Sequence, residues 1–421
     1  MKVGIIGSGG REHALCHAIK KSIKVEQIYC IPGNAGTNSI AKNVDLDLND
    51  FELIKNFINK NKIDLVIVGP EKPLVDGIVD FLDKNQIKVF GPNKIASQLE
   101  GSKIFTKNIC KKYNIPTASF GVFSNLEKSI EFLDQCKFPL VVKADGLAAG
   151  KGVYICETKE QSKKAVEEIF DGKFGKASQI LIEEFLEGEE MSFFIISDGK
   201  NFQKFGTAQD HKRVEEGDKG LNTGGMGAYS PSRLENNILD KKILNKIIRP
   251  TLKALNDMNT NFKGFLYAGL MIIKNEPYLI EYNVRMGDPE CQTILPRLKT
   301  NFFDILNAVI NQKLDTMDIS WHNNKTLSIV LCSNGYPEKY ENNHKIKNLK
   351  EIKLKENEFI FHAGTKMDNE NIVSNGGRVL NFVVKSESFK ESRNQALNLI
   401  KKLNWLNGFF RKDIGFKVID Q

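Results

Sequence analysis

The sequence FPLVVKADGLAAGKGV, residues 138–153, decides the fold. Its first part, ending at Lys143, is an apolar, β-branched run and reads as a strand. Small residues follow, with glycines at 146, 150 and 152 and Lys151 among them, before Val153 opens a second strand. A phosphate loop of the G-x-x-x-x-G-K-[ST] kind leads from strand to helix and has a hydroxyl residue after its lysine. Here Gly152 follows Lys151, and the loop joins strand to strand. Small residues let backbone amides approach oxygen closely, so the loop suits phosphate. A plain hairpin loop is the ordinary alternative, but it has no use for Lys143 and Lys151 flanking the glycines.

A second informative strand is PYLIEYNV, residues 277–284. Side chains alternate along a strand, so Glu281 and Asn283 share one face. Ile280, Tyr282 and Val284 are expected to face a core. A carboxylate and an amide oxygen are donors for a hard divalent cation, and Mg²⁺ takes few protein ligands beside phosphate and water. Arg285 follows at once with a planar fork suited to a phosphoryl group. The run Met286-Gly287-Asp288-Pro289-Glu290 reads as a turn entering a helix. Taken alone, Glu281 and Asn283 also suit an edge strand with a solvated face.

Composition narrows the class. The chain has 421 residues, room for about three domains, and 41% are hydrophobic. No apolar run approaches the roughly 18 residues of a membrane span. No signal-peptide pattern precedes the first strand, so a cytoplasmic protein is expected. The seven cysteines form no Cys-x-x-Cys pair, which argues against a zinc site or a disulfide framework. The net charge of +8 is spread over helices that also carry glutamates, as in residues 159–168. No basic cluster is interleaved with aromatics, so neither nucleic acid nor membrane is an expected partner.

Strands are expected at residues 2–6, 27–31, 63–68 and 88–90, separated by helical patterns. Such alternation gives a Rossmann-like parallel sheet. The loop Gly7-Ser8-Gly9-Gly10-Arg11 fails as a dinucleotide fingerprint, because the last glycine would fall at Glu12. The second strand also runs into Pro32 with no acid there for a ribose. The loop still precedes a helix and offers amides to a phosphate, with a tight turn as the equal alternative. Pro70 and Glu71 end the third strand at the same sheet edge. One helix is expected over 94–113. Capping-box patterns at Ser124 and Thr158 start two more, and a long helix is expected over 237–258. Glu183, Glu184, Glu187, Glu189 and Glu190 read as acids at a solvated strand end. The polar loops 209–213 and 222–231 are long enough to carry function. From about residue 321 the pattern becomes a small α+β unit.

Many short motifs occur in order: GSGGREHAL, PGNAGT, DLVIVGPEKPLVDGIVD, LEGSK, KADGLAAGKGV, IEEFLEGEE, QDHKR, NTGGMGAYSP, GFLYAGLM, EYNVRMGDPE, HAGTK, NGGRVL and RKDIG. In these the chain resembles the phosphoribosylamine–glycine ligase family of the ATP-grasp superfamily. The resemblance runs nearly end to end, and NTGGMGAYSP and GLAAGKG are specific to that family. It implies an α/β and α+β multidomain protein: an N-terminal Rossmann-like domain (1–102), a two-lobed ATP-grasp domain (103–320, small lobe about 116–190) and a C-terminal α+β domain (321–421). It implies ligation of glycine to 5-phosphoribosylamine with ATP, through a glycyl phosphate, by a protein expected to be monomeric.

Carried onto this chain, the resemblance implies that Lys143 reaches the ATP phosphates, with Lys103 less secure, and that Gly146, Gly150, Lys151 and Gly152 close over them. Backbone groups of Glu184 and Leu186 would read adenine, and Glu190, or Glu189, the ribose. Glu281 and Asn283 would bind Mg²⁺ or Mn²⁺. The strand before them, with Leu266, Tyr267, Ala268 and Met271, lacks the further acid that many relatives carry. Asp210, Lys212, Arg285, Gly287, Asp288, Pro289 and Glu290 would line the glycine and amine site. Gly9, Gly10, Pro70 and Glu71 would face the ribose phosphate. Arg285, Lys143 and Asp210 are the expected catalytic groups. The alternatives are another ATP-grasp ligase or carboxylase acting on a ribonucleotide, and a nucleotide-binding regulator without turnover.

Overall fold

The computed structural model describes residues 1–147, 152–175 and 179–419. Strands β1 (Lys2–Gly7), β2 (Gln27–Pro32), β3 (Lys42–Asn43), β4 (Leu65–Val68) and β5 (Val89–Phe90) form a parallel sheet in the order β3-β2-β1-β4-β5. The central strands are apolar on both faces because helices cover both sides. The helix Gly10–Lys20 starts at the end of β1.

Strands β6 (Phe120–Phe123), β7 (Leu140–Ala144), β8 (Val153–Cys156) and β9 (Ile180–Glu184) make a separate antiparallel sheet, order β6-β9-β7-β8. The glycine-rich loop does join two strands, β7 and β8. Gly150 and Lys151 lie outside the described residues.

The largest sheet is built on β10 (Glu189–Asp198) and β11 (Phe202–Asp210), followed by a small hairpin, β12 (Arg213–Glu215) and β13 (Lys219–Asn222). It continues with β14 (Gly227–Ser230), β15 (Lys263–Ile273), β16 (Glu276–Asn283), β17 (Lys325–Ser333) and β18 (Glu358–His362). After a second hairpin, β19 (Thr365–Asp368) and β20 (Asn371–Ser374), come β21 (Arg378–Ser386) and β22 (Gly408–Phe409). The order is β16-β15-β10-β11-β14-β17-β21-β18, with β22 beside β17. Because β14 pairs with β17, Tyr229 opposite Leu327, the sheet runs unbroken across residue 321. No helix of the described residues is long and apolar enough to cross a membrane.

Three local expectations change. The helix expected over 94–113 is two, Lys94–Gly101 and Lys103–Tyr113, because Ser102 is extended and its Oγ accepts the N–H of Phe105 at 3.1 Å. Asn125, not Ser124, caps the next helix, accepting from Lys128 N at 3.2 Å. The segment over 237–258 contains a wider turn, Leu244–Ile248, between two α-helices.

The fourth difference bears on function. In β16, Glu281 lies opposite Gly269 but Leu279 lies opposite Leu270, so Ile280 is an inserted bulge residue. Leu279, Tyr282 and Val284 enter the core, while Ile280 is half-buried and faces the cleft. The parity expected for Ile280 is therefore reversed, but Glu281 and Asn283 still share the cleft face because both follow the bulge.

Candidate functional site

The three sheets meet around one cleft of 1040 Å³. Its floor is the end of β16. Glu281 and Asn283 project into it, and neither side chain takes a hydrogen bond from another described residue; the nearest cation is Lys212 Nζ, 3.9 Å from Glu281 Oε1. Among the described residues no group of three His, Cys, Asp or Glu could hold a metal. Two uncommitted oxygen donors facing open space suit a hard cation whose other ligands are phosphate and water, not an all-protein cage.

The roof comes from the small lobe. Lys143, on β7, donates to Glu183 Oε2 on β9 at 2.8 Å, with both side chains buried. Lys103, the first residue of its helix, reaches the Gly146 carbonyl at 2.9 Å. Gly146 and Gly152 border the cleft, and Gly146 has φ +91, a left-handed geometry that glycine adopts without strain. Glu184 ends β9 and Leu186 lies between β9 and β10; both border the cleft. The Glu184 N–H is committed to the Ser119 carbonyl at 3.0 Å. Glu190 pairs with Lys212 at 2.9 Å, whereas Glu189 pairs with Arg233 and accepts from Gln209.

Asp210, which ends β11, also lines the cleft. Its Oδ1 is buried without a hydrogen-bond partner among the described residues, and burial together with the nearby Glu290 carboxylate pushes its pKa well up. Burial works against the charge on Lys212, yet Glu190, Tyr267, Glu281 and Asp210 hold its pKa well above the ordinary lysine value. Gly287 exists for Glu290: a Cβ there would strike that carboxylate. Ser192 Oγ lies 3.1 Å from Glu290 Oε1 and 2.9 Å from the Tyr267 hydroxyl, locking that wall. The cleft therefore holds two cationic lysines beside Gly146 and Gly152, free oxygen donors on the floor and an unpartnered carboxylate in its wall. That set can bind a polyphosphate beside a small ammonium compound.

The chain matches the three domains of one family in order. Residues 1–100 match "Phosphoribosylglycinamide synthetase, N domain", 101–291 its ATP-grasp (A) domain and 326–417 its C domain. The chain belongs to the phosphoribosylglycinamide synthetase family. Within that family it is 42% identical to a phosphoribosylamine–glycine ligase of Brucella melitensis, over 100% of this chain and 99% of the relative. It is 45% identical to the chloroplastic phosphoribosylamine–glycine ligase of Arabidopsis thaliana, over 98% and 79%. The crystal structure of phosphoribosylamine–glycine ligase from Thermotoga maritima superposes with a TM-score of 0.86 at 33% identity, covering 99% and 100% of the two chains.

In this phosphoribosylglycinamide synthetase family member the remaining expected residues fall into two groups. Gly9, Pro70, Glu71, Arg285 and Asp288 border the cleft; Gly10 and Pro289 do not. Gly10 is packed instead, where a Cβ would strike Gln292 and Asn381. The glycine loop is filled from within. Glu12 Oε2 accepts the Gly9 N–H at 2.6 Å, Asp288 Oδ2 accepts the Arg11 N–H at 3.2 Å, and a Cβ at Gly7, Gly9 or Gly69 would collide with Glu12. Arg285 is held by two carboxylates, with Nη2 2.7 Å from Glu100 Oε1 and Nε 3.2 Å from Glu71 Oε2.

Sequence reasoning missed Glu12, Glu100, Glu183 and Arg378. Arg378 comes from β21, in the third unit, and enters the cleft. Its Nη1 donates to the carbonyls of Gly224, at 2.5 Å, and Asp288, at 2.6 Å. The signal available for Arg378 was its place in the NGGRVL motif; Glu100 and Glu183 lie far in sequence from the groups they meet, whereas Glu12 meets its neighbours Gly9 and Arg11.

Proposed function

We propose that this chain joins glycine to 5-phosphoribosylamine with ATP, giving glycinamide ribonucleotide, ADP and phosphate, the second step of purine synthesis. The observation that supports this reading is one cleft lined by Lys143, the Glu281–Asn283 pair and the carboxylate of Asp210, whose Oδ1 has no hydrogen-bond partner among the described residues. Relatives over the whole chain named phosphoribosylamine–glycine ligase support the same reading.

ATP lies with its phosphates beside Gly146 and Gly152, where Lys143 and Lys103 supply positive charge. Glu281 and Asn283 hold a divalent ion, Mg²⁺ or Mn²⁺, which neutralises phosphate charge when bound. The ammonium of glycine faces Asp210 and Glu290, and its carboxylate faces the terminal phosphate. A carboxylate oxygen attacks the γ-phosphorus, ADP leaves, and glycyl phosphate forms. The amine of phosphoribosylamine then attacks the acyl carbon, losing a proton as phosphate departs with the bonding electrons. Positioning and charge carry phosphoryl transfer, so no protein nucleophile is required. The small lobe shields the acyl phosphate from water. A bicarbonate-activating enzyme would have no use for a carboxylate facing an ammonium, which sets the carboxylase reading aside. The enzyme acts in the cytoplasm, a reading supported by cysteines that are all free thiols among the described residues.

The test uses glycine labelled with ¹⁸O in its carboxylate. Transfer of one labelled oxygen into released phosphate is the expected result; unlabelled phosphate would refute the acyl phosphate.

A further inference from the structure

Behind Lys143 lie buried polar groups that the proposed chemistry does not use. Glu183 stands between two lysines. Its Oε2 accepts from Lys143 Nζ at 2.8 Å, and its Oε1 lies 3.2 Å from Lys107 Nζ. All three side chains are at most 7% exposed. Lys107 is one helical turn beyond Lys103. Its Nζ donates to Thr117 Oγ1 at 2.5 Å, and Thr117 Oγ1 donates to the Leu279 carbonyl at 2.6 Å. Leu279 N donates in turn to the Pro116 carbonyl at 2.8 Å. Leu279 precedes the bulge at Ile280, and Glu281 is the next residue. The network therefore ties the roof to the floor through buried groups.

Charge explains its composition. A buried carboxylate facing one lysine would make a closed neutral pair and draw that ammonium away from the cleft. With two lysines on one carboxylate, the trio keeps a net positive charge beside the cleft. Lys107 Nζ and Glu183 Oε1, 3.2 Å apart, form an ion pair. Lys107 acts there as a charge, and its hydrogen bond goes to Thr117.

We propose that Lys107 is a positioning residue for ATP: it balances Glu183 so that the Lys143 ammonium stays directed into the cleft, and through Thr117 it fixes the β16 backbone just before Glu281. The inference rests on Lys143 serving the ATP phosphates. In this proposal Lys107 acts through Lys143 and Thr117, not on ATP itself.

The test is a double-mutant cycle read as the Kd of a non-hydrolysable ATP analogue by calorimetry, with thermal melts run alongside. Lys107→Met should raise that Kd about tenfold, a loss of about 1.4 kcal/mol. Lys107→Arg, which keeps the charge, should stay within about threefold of wild type. Lys107→Met with Glu183→Gln removes the unbalanced carboxylate and should recover most of the affinity. A role in packing alone predicts the reverse, the double variant binding no better than Lys107→Met. An unchanged Kd in Lys107→Met, or no recovery in the double variant, would overturn the proposal. If Lys107→Met does not fold, the double variant is compared with wild type, where a tenfold weaker Kd overturns it and a near-normal one supports it. Lys143→Met separates the premises. An unchanged Kd there removes the ATP role of Lys143 and this inference with it, whereas weakened binding in Lys143→Met beside normal binding in Lys107→Met removes only the inference.

Discussion

Arg285 Nη2 lies 2.7 Å from Glu100 Oε1, and both side chains are largely buried. Glu100 also accepts the Val284 N–H at 2.8 Å, so one carboxylate fixes both the arginine and the backbone leading to it. Glu71 approaches the same guanidinium from the N-terminal sheet at 3.2 Å. The two acids respond oppositely. Arg285 draws the Glu71 pKa down to about 2, while burial pushes Glu100 up to about 7.

These shifts set opposite pH dependences. The folded-state pKa of Glu100 lies above its unfolded value, so its contribution is full below the ordinary carboxylate range and is lost as pH rises through about 7. Glu71 contributes above the ordinary range and loses that contribution as pH falls toward about 2. Glu100→Gln should therefore gain stability relative to wild type between about pH 5 and pH 8, by up to about 3 kcal/mol. Denaturant melts at the two pH values check this; a difference that does not move with pH would contradict it.

Glu281→Ala should lower kcat by about a hundredfold or more while leaving the fold intact. The Glu281 side chain is 39% exposed and makes no internal hydrogen bond among the described residues, so its removal costs little packing. Steady-state rates and a thermal melt on one preparation decide it. Near-normal turnover would remove Glu281 from the metal site.

Arg285→Lys should lose about tenfold or more in kcat/KM, because an ammonium cannot span Glu71 and Glu100 as a planar fork does. The same variant should melt lower, since one of two buried carboxylates loses its partner. Unchanged kinetics would take Arg285 out of the mechanism.

Arg378→Ala should lower kcat/KM for glycine and phosphoribosylamine by about tenfold or more, with little change in the Kd for ATP. One nitrogen of Arg378 ties the Gly224 and Asp288 carbonyls together, and a charged hydrogen bond is worth about 1.5–3 kcal/mol. The nucleotide groups lie on other strands. Equal losses for all three substrates would indicate general disorder of the cleft.

Much of this arrangement was legible before any coordinates. The strand and helix alternation of residues 2–90 specifies the parallel sheet, because its period follows from burial on both faces. Glu281 and Asn283 were legible as neighbours because both lie beyond the bulge. Ile280 was not, since a bulge depends on how Gly269 and Leu270 pair across the strands. Glu183 looked like one of several solvated acids at a strand end, yet it is 4% exposed. What buries it are Lys107 and Lys143, brought close only by the fold. The continuity of β14 with β17, which delivers Arg378, likewise depends on pairing between segments about a hundred residues apart.

The central claim is best tested by ADP release assayed with ATP and a divalent ion while glycine and 5-phosphoribosylamine are omitted in turn. The account predicts sustained release only when both are present, with glycinamide ribonucleotide formed in equal amount. Sustained release without glycine, or none with both substrates present, would contradict it.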